Sequence, residues 1–161
     1  MRIAAKTFND RFMFKLYPEL PSAETLSQIL TFDARPALSR LSQRVERREL
    51  LNWISYRPQV LLADRLKERI VTLSLLTRPK EAPKEWRSAI ADGISPRATQ
   101  DLYKAIQSRA LLNGRLHAQD DDLIACALPT LRHRFRLRWE AKAEGITPDQ
   151  ILTALLPLSD S

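Results

Sequence analysis

Ser95-Pro96-Arg97 is the stretch of this sequence with the most explicit chemistry. A serine ahead of a proline marks a helix start. The hydroxyl accepts one of the N–H groups that a first turn leaves unpaired, and proline suits the first helical position, where no N–H is needed. Arg97 then stands in the first turn, where an exposed cation opposes the helix dipole at a cost of roughly 0.3–1 kcal/mol. A bound anion reverses that sign, because helix N-termini and guanidinium groups both attract phosphate oxygens. The competing reading is a surface arginine with no ligand.

Other residue patterns carry weaker chemistry. Arg132, Arg134, Arg136 and Arg138 alternate with His133, Phe135, Leu137 and Trp139. That period of two predicts an extended piece with four guanidinium groups on one face, able to meet phosphates, and aromatic residues on the other. Ion pairs with nearby acids such as Glu140 and Glu144 are the alternative. Asp120 to Asp122 read as a solvated helix cap rather than a cation site. With His117, His133 and Cys126 as the scarce soft ligands, no metal site is expected. Cys126 lies among Leu123, Ile124, Ala127 and Leu128, as a buried structural thiol would. No G-x-S-x-G motif, and no Cys–His spacing that can be interpreted, anchors nucleophilic catalysis.

The elements that must hold these residues are mostly helical. Phe8 to Tyr17 alternates weakly and predicts a short strand, ended by Pro18 and Pro21. Ser22 caps a helix through Leu30, Thr31 to Pro36 reads as a loop, and Ala37 to Tyr56 reads as helix, broken near Arg44–Arg48. Its expected core residues are Leu38, Leu41, Val45, Leu50, Leu51 and Ile54. Another helix starts at Ala63 or Asp64, with Leu66, Ile70 and Leu73 on one face, and ends at Pro79. Lys80 to Asp92 reads as a loop or short helix. From Ser95 a long helix is expected to bury one face made of Ala98, Leu102, Ala105, Ile106, Ala110 and Leu111, and Asn113-Gly114 closes it because glycine tolerates the left-handed C′ conformation. Asp120 starts a helix over Leu123–Leu128, and Thr147-Pro148-Asp149 launches the last one.

Composition narrows the class. A chain of 161 residues with 44% hydrophobic and 28% charged content fits one soluble globular domain, with room for a fragment of a second. No apolar run approaches a membrane span, and no leader peptide is read at the start. A net charge of +7 admits a nucleic-acid partner. The three glycines sit at helix boundaries, so no phosphate-cradling G-x-x-x-x-G-K-[ST] loop or G-x-G-x-x-G turn is present. The single cysteine suits a reducing cytoplasm.

Taken together, Gly93, Ser95-Pro96-Arg97-Ala98, Leu131-Arg132-His133-Arg134, Glu140-Ala141, Ala143-Glu144-Gly145 and Thr147-Pro148-Asp149 resemble the C-terminal lid of the MoxR-type AAA+ ATPases. The stretch "NDRFMFKLYPELPSAETLSQIL" is similar to the D-R-F strand through which that family leaves its ATPase core. The resemblance runs from about Asn9 to Leu152. It implies a mainly α helical-bundle lid domain over 19–161, with residues 1–18 as a remnant of the core. It further implies that Arg97 is the sensor-2 residue reaching the γ-phosphate of ATP, with Ser95 and Pro96 shaping that helix start. Arg11 matches the arginine finger, which acts on the neighbouring subunit's nucleotide. The family's ATP and Mg2+, its ring of subunits, its von Willebrand factor A-domain partners and its chaperone-like work on client proteins come with the resemblance. No Walker A or Walker B motif precedes Asn9. The expectation is therefore a fragment, split gene or late-started frame, cytoplasmic, and inactive alone. A small basic helical nucleic-acid-binding protein, and an adaptor that docks on an intact ring, are the alternatives.

Overall fold

The computed structural model describes residues 10–39, 41–42 and 45–160. Among these, helix dominates and a single two-stranded ladder is present. The chain divides into two units, Leu16–Ser55 and the remainder, Met1–Lys15 with Tyr56–Ser161.

In the larger unit, α4 spans Asp64–Leu76, α5 Lys84–Arg87, β1 Ile90–Asp92, α6 Pro96–Leu112, α7 Asp120–Leu131, β2 Arg136–Leu137, α8 Trp139–Ala143 and α9 Pro148–Leu158. The expected helical faces become its core. Leu66, Ile70 and Leu73 of α4 are buried together with Ala98, Leu102, Ala105 and Ile106 of α6. Leu123, Ala127 and Leu131 of α7 and Ile151, Leu152 and Leu155 of α9 complete the cluster. Each such leucine or isoleucine contributes about 1.5–3 kcal/mol by leaving water. The helix α6 ends as its sequence requires: Gly114 has φ 70°, and Arg115 N–H bonds back to Ala110 O at 2.9 Å. The last helix, α9, opens with a capping box between Thr147 and Gln150.

Two features of this unit depart from the sequence reading. The strand expected over Phe8–Tyr17 is not there. Phe8 and Asn9 fall outside the described residues, and Asp10–Arg11 form a turn followed by irregular chain. One backbone bond, Lys15 N–H to Pro129 O at 2.8 Å, ties this segment to α7, which is an anchor rather than a ladder. Conversely, Ile90–Asp92 forms a strand where a loop or short helix was expected. It pairs antiparallel with β2, with Ile90 opposite Leu137, and Arg138 N–H bonds to Ala89 O at 2.8 Å.

The smaller unit holds α1 (Ala23–Thr31) and α2 (Ala34–Ser39), and α3 runs Arg47–Tyr56. Ser22 caps α1 by accepting from Thr25 N–H at 3.2 Å, as expected. The loop expected over Thr31–Pro36 instead turns helical at Ala34. Asp33 accepts the Arg35 N–H at 3.0 Å, and Pro36 falls in the first turn, where its missing N–H costs nothing. The expected core of this region is the clearest miss. Leu38, Leu41, Val45, Leu50, Leu51 and Ile54 are all exposed, because the three helices are short and bury no described side chain. Arg44 of the expected Arg44–Arg48 break lies outside the described residues; Val45 and Glu46 are not helical and α3 starts at Arg47.

Candidate functional site

The start of α6 is built by contacts on both sides. Before it, Gly93 lies so close to the end of α4 that a Cβ there would stand 2.9 Å from Arg78 Cγ and 3.0 Å from the Thr77 carbonyl oxygen. That approach lets Ile94 N–H bond to Thr77 Oγ1 at 3.1 Å, fixing the peptide that delivers Ser95. Ser95 Oγ accepts Ala98 N–H at 3.1 Å, and Pro96 occupies the first turn. Arg97 follows, exposed and without an ion pair among the described residues. The expected Ser95 cap and first-turn proline are in place.

An anion is present at this helix end, supplied by the chain itself. The Asp10 carboxylate lies 3.0 and 3.1 Å from Ser95 Oγ, which donates its one hydrogen to it while accepting from Ala98. Arg11 is the next residue along and is exposed. The structure thus brings the segment carrying Arg11 to the cap that precedes Arg97.

That segment is held by a second set of groups, from the turn after α7. Arg134 is 2% exposed. Its Nη2 donates to Phe12 O at 2.5 Å and to Asp101 Oδ2, on α6, at 2.8 Å. Its Nη1 makes no hydrogen bond among the described residues and faces Asp10 at 4.0 Å. His133 Nε2 lies 2.9 Å from the same Phe12 carbonyl, which can only accept, so this nitrogen carries a hydrogen in that contact. Burial holds the His133 pKa below its ordinary value, with Arg134 and Lys15 pushing the same way against the Phe12 bond and Asp10.

The proposed face of four arginines is therefore not a face. Arg134 is interior, Arg132 pairs with Asp149 at 3.0 Å, and Arg136 pairs with Asp92 through Nε at 2.6 Å and through Nη2. The partners are aspartates from α9, β1 and α6 rather than Glu140 and Glu144, because β2 is only two residues long and the chain turns on both sides of it. Phe135 is buried, while Trp139 is 75% exposed.

Asp120–Asp122 form the first turn of α7 behind the Gln119 cap, but Asp122 is buried rather than solvated, and two of the three make ion pairs. Asp122 is buried and takes Arg115 by two bonds at 2.9 and 2.8 Å, with Arg109 at 3.3 Å and Gln119 N–H at 2.9 Å. Burial alone would raise its pKa, but the Arg115 bonds and the Gln119 amide outweigh it and the carboxyl titrates low. Asp120 pairs with the buried Arg69 at 2.6 Å. Cys126 is buried, which pushes its thiol up to about 11, in keeping with a structural role.

Sequence reasoning missed the Arg134 hub. The signal was present in Asp101, which lies on the buried stripe of α6 between Ala98 and Ala105, where an acid requires a cation partner.

Comparison with known proteins shows what this architecture is similar to. Residues 86–155, from Trp86 through most of α9, match the family model of the AAA lid domain. The chain is 28% identical over 149 residues to the chaperone MoxR1 of Mycobacterium tuberculosis, covering 91% of this chain and 39% of that protein. Residues 86–155 thus carry an AAA lid domain, and the chain is similar to the lid region of a MoxR-type AAA+ protein. The chain is also 32% identical over 148 residues to the uncharacterized protein YeaC of Bacillus subtilis, covering 91% of this chain and 44% of that protein. A crystal structure from Cytophaga hutchinsonii, described as that of an ATPase candidate, matches with a TM-score of 0.80 at 27% identity, over 94% of this chain and 47% of that one. This chain spans less than half the length of each of these relatives. No helix among its described residues is long and apolar enough to cross a membrane.

Proposed function

We propose that this chain is the nucleotide-sensing lid of an ATP-hydrolysing MoxR-type ring. Arg97 is the sensor-2 residue, reaching the γ-phosphate of ATP held by an AAA+ core. One observation carries this reading: at a helix start built by the Ser95 cap and Pro96, Arg97 is exposed and makes no ion pair among the described residues. Ser95 and Pro96 fix the direction of that helix end. Arg11 is the finger offered to the neighbouring subunit's nucleotide, where its charge would offset the negative charge that develops on the transferred phosphoryl group. Residues 1–18 then belong with the core and 19–161 with the lid.

The groups present here fit one corner of a nucleotide. A guanidinium and a helix N-terminus suit the terminal phosphate, while the base, ribose and Mg2+ need ligands from a core with Walker A and Walker B motifs. ATP with Mg2+ supplies the phosphoryl group; the lid residues orient and neutralise it. Alone, this chain neither binds ATP tightly nor turns it over. In the ring, swinging of the lid on its core drives chaperone-like maturation or cofactor loading of client proteins in the cytoplasm, with a von Willebrand factor A-domain protein as partner.

The test joins this lid to a Walker-bearing core, in one polypeptide or as two chains, and measures ATP hydrolysis before and after Arg97→Ala. The reading requires turnover to fall at least tenfold while assembly persists. An assembled ring that hydrolyses ATP equally well without the Arg97 guanidinium refutes it.

A further inference from the structure

We infer that His133 and Arg134 are positioning residues for Arg11, so that the lid sets where the core's finger segment lies. This rests on the reading of Arg11 given above. The peptide on both sides of Arg11 is clamped to lid elements. Upstream, Asp10 is bonded to Ser95 Oγ at the start of α6. Downstream, the Phe12 carbonyl receives both His133 Nε2 at 2.9 Å and Arg134 Nη2 at 2.5 Å, and Lys15 N–H is bonded to Pro129 O at 2.8 Å. Arg11 itself, between these anchors, remains exposed.

The choice of groups points to placement rather than bulk stability. Burying a guanidinium is costly, and an apolar side chain of similar volume fills such a space at least as well. The planar fork adds direction: one Arg134 nitrogen joins Phe12 O to Asp101 of α6, and so fixes a backbone carbonyl one residue from Arg11 relative to the helix that begins with Arg97. Both arginines are thereby mounted on one frame. A lid displacement that follows the nucleotide at Arg97 relocates Arg11, and so couples two successive sites of a ring.

Hydrogen exchange on this chain tests the clamp directly. In His133→Phe, which removes the donor to Phe12 O, the Lys15 amide should exchange at least tenfold faster while the Leu102 amide is unchanged, and His133→Gln, which keeps an N–H donor, should restore protection. In the assembled ATPase, His133→Phe should lower kcat at least tenfold with KM for ATP unchanged. It should add nothing in an Arg11→Ala background. Unchanged Lys15 exchange, or losses that multiply in the double variant, would overturn the positioning role alone. Full turnover in Arg11→Ala would instead remove the finger reading, and the positioning role with it. Arg134→Lys serves as a second probe of the fork, with folding checked by the same Leu102 amide.

Discussion

Asp10 and Ser95, 85 positions apart, share a hydrogen bond in which one serine oxygen serves both as the cap of α6 and as donor to a carboxylate. Replacing Ser95 with alanine removes both functions. The expected loss is about 1 kcal/mol of folding stability, the usual worth of such a cap. Asp10→Asn, which keeps an acceptor for Ser95, should cost less. Urea unfolding of the two variants checks the order.

Among the described residues, Arg97 makes no ion pair that folding could depend on. Arg97→Ala should therefore leave stability within about 0.5 kcal/mol of the parent, as exposed substitutions do. A small gain is the expected sign, since a first-turn cation opposes the dipole. A thermal melt that drops by several degrees would show that the side chain is structural after all.

Gly93 should not tolerate alanine. The new Cβ would press on the Thr77 carbonyl oxygen, part of a backbone that cannot step aside, as well as on Arg78. Overpacking of this kind costs about 1–3 kcal/mol. Denaturant midpoints for Gly93→Ala measure it.

His133 and Asp122 both contribute to the pH dependence of the lid. His133 has a folded pKa below its unfolded value, because of burial and the facing Arg134 and Lys15, opposed by Phe12 O and Asp10. Its contribution is intact above pH 6.5 or so and is lost as pH falls below that value, where the unfolded chain takes up the proton first. His133→Gln should flatten the stability curve in that window. Asp122, titrating low through Arg115 and Gln119, contributes above the ordinary carboxylate range and fails at more acidic pH. Asp122→Asn should cost about 2 kcal/mol at neutral pH by leaving Arg115 half-paired.

The Cys126 thiol, buried and raised to about 11, should resist a thiol-specific reagent at pH 8 until the protein unfolds. Reaction in the native state at the rate of free cysteine would contradict the packing of α7.

The helices of the larger unit were legible because their signals are local: a cap, a proline, a spacing, a terminal glycine. Ser95, Thr147 and Gly114 each behave as their residue type requires. The failures are non-local. Whether "FNDRFMFKLY" pairs as a strand depends on what lies beside it, which no period of two records. The arginines of "RHRFRLRW" could be assigned to a common face only by assuming that the strand continued. The turn before β2 sends Arg134 inward, and its partner Asp101 lies 33 positions away. The apolar spacing from Leu38 to Ile54 promised a buried face, but spacing identifies a face without identifying its cover.

That last point has a practical side. Three helices of nine, six and ten residues are each too short to hold themselves in water, and none has an interior to lean on. Trypsin in trace amounts should find its first cuts between Leu16 and Ser55, sparing the part from Tyr56 onward. For this stretch, being covered and surviving digestion amount to the same property.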